Sequence, residues 1–356
     1  MKAAVLKAFG APLAIENVAD PVPGTGEVIV DVAAAKVLAY AGDVLSGARR
    51  YLLDLPAIFG AGGVGRVRSI GPDATHLGVG DWVFCDPTVR SRDDAAQPDI
   101  LLQGLTAGGD GGRRLQKYFH DGSWAERLRL PTENAIAIGD IAPDDAPRWC
   151  CMGALLVPYG GLLAAGVAAG ETVLINGATG AFGSAGVAMA LAMGAASVVA
   201  TGRNAGVLDD LARRFGSRVR CVQMLGKEED DRQRILKAAS APIDVVLDLL
   251  PPAAAPSQVR AAVLAVRPYG RVVLMGGLGT DVGLPYSWLM RNCITVRGQW
   301  MYPPTAVSRL AGMVRAGLIK LEEFAVTSFD LDDANEAVAH AAANARPFQT
   351  TVICPA

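Results

Sequence analysis

The run Gly177-Ala178-Thr179-Gly180-Ala181-Phe182-Gly183 restricts this chain more than any other feature. It follows a short apolar stretch, Thr172-Val173-Leu174-Ile175, and leads into an Ala-rich segment, Ser184 to Met193. A buried strand, a tight glycine turn and a helix is the opening of a βαβ unit. The pattern then repeats. Strands are predicted at Ser197–Thr201, Arg218–Gln223, Ile243–Leu249 and Arg271–Met275, with helices at Ala205–Phe215, 228–239 and 255–266 between them. Strand–helix alternation predicts a doubly wound sheet of parallel strands, the Rossmann class of α/β fold.

The rest of the chain reads differently. With 356 residues it exceeds one ordinary core, so two domains are expected. Before residue 150, short alternating runs such as Glu27–Val32 and Val64–Ile70 are broken by Gly and Pro, as in a small barrel. Gly80-Asp81-Trp82-Val83-Phe84 begins a further strand. From 88 to 118 the apolar rhythm fails, and Thr106 to Gly112 has the composition of a loop that is either a solvated insertion or a cover over a site. After residue 294, short strands return with a helix at Thr305–Ala316, and the segment is expected to fold back onto the first domain.

Bulk properties exclude several classes. A net charge of −2 and only isolated arginine pairs argue against nucleic acid and anionic membranes as partners. No apolar run reaches the roughly 18 residues of a membrane helix. The first residues lack a signal-peptide pattern, and six scattered cysteines without a Cys-x-x-Cys spacing suit a reduced, cytoplasmic protein.

Gly177, Gly180 and Gly183 are a variant of G-x-G-x-x-G. Such a turn lets the backbone approach a pyrophosphate while the helix N-terminus supplies N–H donors and a positive dipole end. Thr179, Ala181 and Phe182 complete the expected contact surface. An NAD site usually ends its second strand with Asp or Glu. Here Thr201-Gly202-Arg203-Asn204 carries no acid, and the Arg203 guanidinium suits a 2′-phosphate. The residues therefore point to NADPH (NADP).

Other segments resemble the medium-chain dehydrogenase/reductase superfamily over essentially the whole chain. Pro56-Ala57-Ile58-Phe59-Gly60 with Gly63-Val64-Gly65-Arg66-Val67, Gly78-Val79-Gly80-Asp81-Trp82-Val83, and Asp121-Gly122-Ser123-Trp124-Ala125-Glu126 carry the likeness. It implies a GroES-like β-barrel domain, residues 1–152 and 294–356, around a Rossmann domain at 153–293, and a homodimer through edge strands. It also places Met275-Gly276-Gly277 beside the nicotinamide ribose, and Trp300, Met301 and Tyr302 at an apolar substrate pocket. Val157-Pro158-Tyr159 stands where the family usually has a Thr.

The zinc alcohol dehydrogenases of that superfamily bind a catalytic metal through Cys, a Gly-His-Glu segment and a second Cys. Here the positions read Tyr40, Gly60-Ala61-Gly62 and a residue near Gly153, and 86–116, where a four-Cys zinc lobe would fall, holds no cysteine. The three histidines, 76, 120 and 340, are far apart in sequence. Tight zinc needs thiolate or imidazole donors, so no metal is expected. The resemblance then implies a metal-independent reductase, alcohol-dehydrogenase-like or quinone-oxidoreductase-like, acting on an apolar enone, quinone or ketone. Tyr40 is the first candidate hydrogen-bond donor and Tyr51 the second, each also readable as packing or surface. Asp43 reads as a cap or turn residue. Two other readings stand: an NADPH-binding sensor or structural protein without turnover, and a zinc-dependent alcohol dehydrogenase.

Overall fold

The computed structural model describes residues 1–355. The chain divides into two compact units: Met1–Gly153 with Leu321–Ala345 and Gln349–Ala356, and Ala154–Lys320 with Arg346–Phe348. Residues 294–320 thus lie in the second unit, which differs from the division implied by the resemblance. The reason is a strand. Thr295–Gly298 pairs in parallel with Val266–Leu274, and the helix Thr305–Arg315 follows in the same unit.

In the second unit, six parallel strands run in the order Val219–Gln223, Ser197–Gly202, Thr172–Asn176, Ile243–Asp248, Val266–Leu274, Thr295–Gly298. Chain order therefore reverses between Thr172–Asn176 and Ile243–Asp248. Ligands of open α/β sheets bind beyond the carboxyl ends of strands at such a reversal. The central strands are apolar on both faces because helices cover both. Val173, Leu174, Ile175, Val245, Val246 and Leu247 are all buried.

In the first unit, a seven-stranded sheet centres on the long strand Glu27–Val37. Gly63–Ile70 and Gln349–Cys354 pair with it antiparallel, and Arg127–Pro131 adds to it. A smaller sheet joins Lys2–Leu6 to Ala14–Asn17 and Ala57–Ile58. Region 88–118 is more ordered than its composition suggests. Thr88–Arg90, Ile100–Leu102 and Thr106–Ala107 form a three-stranded sheet, and Gly109–Gln116 is a helix. Strands of two or three residues carry no readable alternation. Gly111 and Gly112 of that helix serve close packing, since a Cβ would run into the Asp99 side chain at one and the Ile100 carbonyl at the other.

No single helix among the described residues is long and apolar enough to cross a membrane. All six cysteines are free thiols.

Candidate functional site

The glycine turn leaves Thr172–Asn176 at the sheet's reversal point. Gly177 has φ +86°, a left-handed conformation that glycine adopts without steric cost. Its carbonyl accepts from Gly180 N at 3.1 Å, and Ala178 N donates to Thr201 O at 2.7 Å. A Cβ on Gly183 would run into the Gly177 carbonyl oxygen, so the turn closes only with glycine there. The helix Ala181–Ala192 begins at once, and its N-cap, Gly180, offers no side-chain acceptor. First-turn N–H groups lack intrahelical partners, so they face an anion-sized need at a partly exposed turn. This glycine-shaped cradle fits a dinucleotide.

Beneath the turn is a polar ladder across three strand ends. Thr201 Oγ1 donates to Asn176 Oδ1 at 2.7 Å, and Asn176 Nδ2 donates to Asp248 Oδ1 at 2.7 Å and to Gln258 O at 3.3 Å. Asp248 is buried. Desolvation raises its carboxyl to about 6, opposed by the hydrogen bonds from Asn176 and the Leu250 backbone. Thr201 is therefore structural here, its hydroxyl spent on Asn176. Gly276 lies against the same carboxylate, since a Cβ there would stand 2.7 Å from Asp248 Oδ2. Gly202 abuts the Thr179 side chain. Met275 Sδ lies against Gly161, and Gly277 lies near Pro252.

Arg203 is exposed at the end of the second strand, with its carbonyl accepting from Gln223 Nε2 at 3.2 Å and, among the described residues, no ion pair to its guanidinium. Asn204 caps the next helix: its Oδ1 accepts from Val207 N at 3.2 Å. Trp300 is 47% exposed, whereas Tyr302 is buried. Met301 has φ +58° and sits against Gly160, which has no side chain to block it.

In the first unit Tyr40 and Tyr51 meet edge to face, 6.3 Å between centroids, with the Arg49 guanidinium 4.1 Å above the Tyr40 ring. Burial first, then Tyr51, raises the Tyr40 phenol above its ordinary value; Arg49 opposes. Tyr40 thus stays protonated and releases its proton reluctantly. Asp43 lies in the first turn of the short helix Ala41–Leu45.

The positions that resemble metal ligands do not form a metal site. Gly60 and Gly62 have φ +113° and +74°. A Cβ at Gly62 would stand 2.7 Å from the Cys85 carbonyl oxygen. A carboxylate-bearing residue there would be strained and blocked. Among the described residues no group of three His, Cys, Asp or Glu is arranged to hold a metal ion. Zinc does not fit this donor set.

His120 is tied on both nitrogens, Nδ1 to Asp121 at 3.0 Å and Nε2 to Asp54 O at 3.0 Å. The Asp121 hydrogen bond raises its pKa, desolvation opposing. It lines a cavity of about 780 Å³ with Tyr118, Asp121, Arg127 and Arg129. Neither tyrosine candidate lines that cavity. Its Arg127 is paired with Asp20, and Arg129 donates to Tyr118 O. His340 Nδ1 is 3.0 Å from Thr351 Oγ1, a structural contact.

Two residues were missed in the sequence. Asp248 ends the apolar run Val245-Val246-Leu247, and Lys36 interrupts Val32-Ala33-Ala34-Ala35-Lys36-Val37. A charge set against an apolar run was the available signal in both cases.

Comparisons with known proteins follow the same division. Residues 24–140 match the alcohol dehydrogenase GroES-like domain, and residues 181–316 match the zinc-binding dehydrogenase family. An alcohol dehydrogenase of Geobacillus stearothermophilus is 27% identical over 84% of this chain and 84% of its own length. An acryloyl-coenzyme A reductase of Metallosphaera sedula is 30% identical over 56% of this chain and 58% of its own. A zinc-binding dehydrogenase fold from Sinorhizobium meliloti 1021, solved with NADP, superposes with a TM-score of 0.76 at 22% identity, covering 99% of each chain.

Proposed function

The chain belongs to the medium-chain dehydrogenase/reductase superfamily and is an oxidoreductase of the alcohol dehydrogenase kind, and from that premise we propose that it is a metal-independent, NADPH-dependent reductase of an activated C=C, quinone or ketone. The observation that carries this reading is a pairing: a glycine turn closed against its own backbone at Gly177 and Gly183, and metal-ligand positions held by Tyr40, Ala61, Gly62 and Gly153.

In this reading the N–H groups of Thr179, Ala181, Phe182 and Gly183 hold the pyrophosphate, and Gly177 and Gly180 shape the turn around it. Arg203 meets the 2′-phosphate, with Gly202 and Asn204 beside it. Asn204 spends its side-chain oxygen on the helix cap, which leaves Nδ2 to donate. Met275, Gly276 and Gly277 border the ribose end. A bound reduced nicotinamide supplies the hydride. Tyr40 and Tyr51 donate hydrogen bonds to the substrate oxygen. The Tyr40 phenol, held protonated by its surroundings, stabilises developing negative charge without giving up its proton.

A homodimer across Thr295–Gly298 belongs to the same proposal. That strand is the sheet's edge and is exposed throughout, and Tyr286 and Met290 on the helix before it in sequence are exposed as well. Val296→Lys should turn a dimeric wild type monomeric in sedimentation. A monomeric wild type would end that part of the reading.

The test is a fluorescence titration with NADPH and NADH, followed by enones, quinones and ketones with loss of reduced-nicotinamide absorbance as the readout. Saturable NADPH binding with turnover of one class supports the proposal. Tight binding without turnover across the panel would instead favour a cofactor-binding sensor.

A further inference from the structure

The cavity of about 780 Å³ described above has no part in the reductase reading, and every residue lining it belongs to the first unit. Its size falls in the range of about 300–1,000 Å³ that small-molecule sites occupy. Val5 and Ile58 line it, with Val18 packed against them, and all three belong to one apolar cluster. Val5 and Ile58 are register partners on adjacent antiparallel strands, so a strand ladder rather than a loop sets this apolar wall.

Most charged groups of the lining are already paired. Lys7 Nζ stands 2.5 Å from Glu16. Arg127 pairs with Asp20 and, through Nε, with Asp31 at 3.5 Å. His120 has acceptors at both ring nitrogens, a carboxylate and a backbone carbonyl, so both carry protons and Asp121 balances the imidazolium. Two groups are left over. Gln103 is 4% exposed, and its Nε2 donates to Asp121 O at 2.8 Å and to Arg129 O at 2.7 Å. Two carbonyl partners settle which end of the amide is nitrogen. Gln103 Oε1 has no hydrogen-bond donor among the described residues, whereas buried polar atoms ordinarily have a partner. The other group is Arg129. Its Nη2 donates to Tyr118 O at 2.7 Å, and its guanidinium lies 4.5 Å from the centre of the Tyr118 ring. Glu27 is 3.9 Å from Nη1, too far for a hydrogen bond, and already accepts from Gly24 N at 2.7 Å. Arg129 Nε and Nη1 make no hydrogen bond among the described residues.

We propose that this cavity binds a small hydroxycarboxylate with an apolar body. The hydroxyl donates to Gln103 Oε1, the carboxylate accepts from Arg129, and the apolar body lies on Val5, Val18 and Ile58. The planar guanidinium suits a carboxylate, and the Tyr118 ring beneath it limits where it can point. Gln103 Nε2 is bonded to the Arg129 carbonyl, so the acceptor and the cation are tied to the same point of the backbone. A dianion finds no second unspent cation here, and a neutral alcohol leaves Arg129 unanswered. The site stands whether or not the chain is a reductase.

The experiment titrates the full chain with mandelate, followed by ligand-observed NMR. Saturable binding with a Kd of about 1 mM or lower is expected. Two analogues dissect it on the wild type. Phenylacetate, which lacks the hydroxyl, should bind about 3- to 10-fold more weakly, and benzyl alcohol, which lacks the carboxylate, at least about tenfold more weakly. Arg129→Met, checked for folding by circular dichroism, should weaken mandelate at least about tenfold and leave benzyl alcohol within about twofold. Tyr40→Phe, outside the cavity, should bind mandelate as wild type does. If Arg129→Met does not fold, the analogue series on the wild type decides alone. No saturable binding of mandelate up to about 10 mM, or equal affinity for the three compounds, overturns the proposal. Mandelate binding that survives in Arg129→Met but is lost in Tyr40→Phe also overturns it, and assigns the ligand to the substrate site of the reductase reading.

Discussion

Glycines dominate two regions of this molecule, and they mean opposite things. At 177–183 they are required by the backbone: Gly177 takes a left-handed turn and Gly183 has the Gly177 carbonyl against its α-carbon. Their lack of side chains creates a place for a ligand held by N–H groups. At 62 and 153 glycines, and at 61 an alanine, stand where the resemblance expects ligand-bearing side chains, so the chain offers no donors there. In the proposed reading, cofactor binding runs through the backbone, whereas the chemistry does not run through metal-ligating side chains.

The sharpest way to break that contrast is at Gly183. Gly183→Val forces a branched side chain into the Gly177 carbonyl and should cost at least about 3 kcal/mol of stability. NADPH binding should disappear as well. A urea melt and a fluorescence titration check both. Normal binding would mean that the glycine is incidental.

Asp248 tests whether the ladder under the turn is strained by charge. Its carboxyl rises from 3.8 to about 6 on folding, which corresponds to about 3 kcal/mol. The sign follows from proton counting. Below both values each state is protonated and nothing is lost. As pH rises between them the unfolded state ionises first, so stability falls, and the loss is complete above about 6. Asp248→Asn can still accept from Asn176, and it should flatten this part of the profile. Unfolding free energies on either side of the window check it, and equal slopes in both proteins would contradict the burial argument.

At the second strand, Arg203→Ala should lower the NADPH-to-NADH ratio of kcat/KM by about 10- to 100-fold, the range of a hydrogen bond to a charged group. An unchanged ratio would remove the case for NADPH. The smallest effect is expected in the other region. Tyr40→Phe removes a donor that keeps its proton, and kcat should fall less than about tenfold. A much larger fall would mean that Tyr40 gives up its proton in the reaction.

The same division explains what was legible in the sequence. Helix and strand periods exposed the Rossmann half, because Val173 to Ile175 and Val245 to Leu247 must be apolar on both faces. The turn was legible because only glycine satisfies its sterics. The small sheet at 88–107 was not, since its strands are too short to show a period. The place of 294–320 was misread because an exposed edge strand looks like a return to the barrel: Thr295–Gly298 carries no apolar face. Lys36 and Asp248 were passed over for a different reason. What singles them out is, among the described residues, the absence of an ion-pair partner for one and a buried hydrogen bond in the other, and both are facts of three-dimensional packing.

The central claim is reduction with a nicotinamide cofactor and without a metal. It is tested most directly by assaying NADPH-dependent reduction, in a panel of enones, quinones and ketones, before and after exhaustive chelation, with elemental analysis of the same samples. The account predicts no stoichiometric zinc and an unchanged rate after chelation. Stoichiometric zinc, with activity lost on chelation and restored by added zinc, would contradict it.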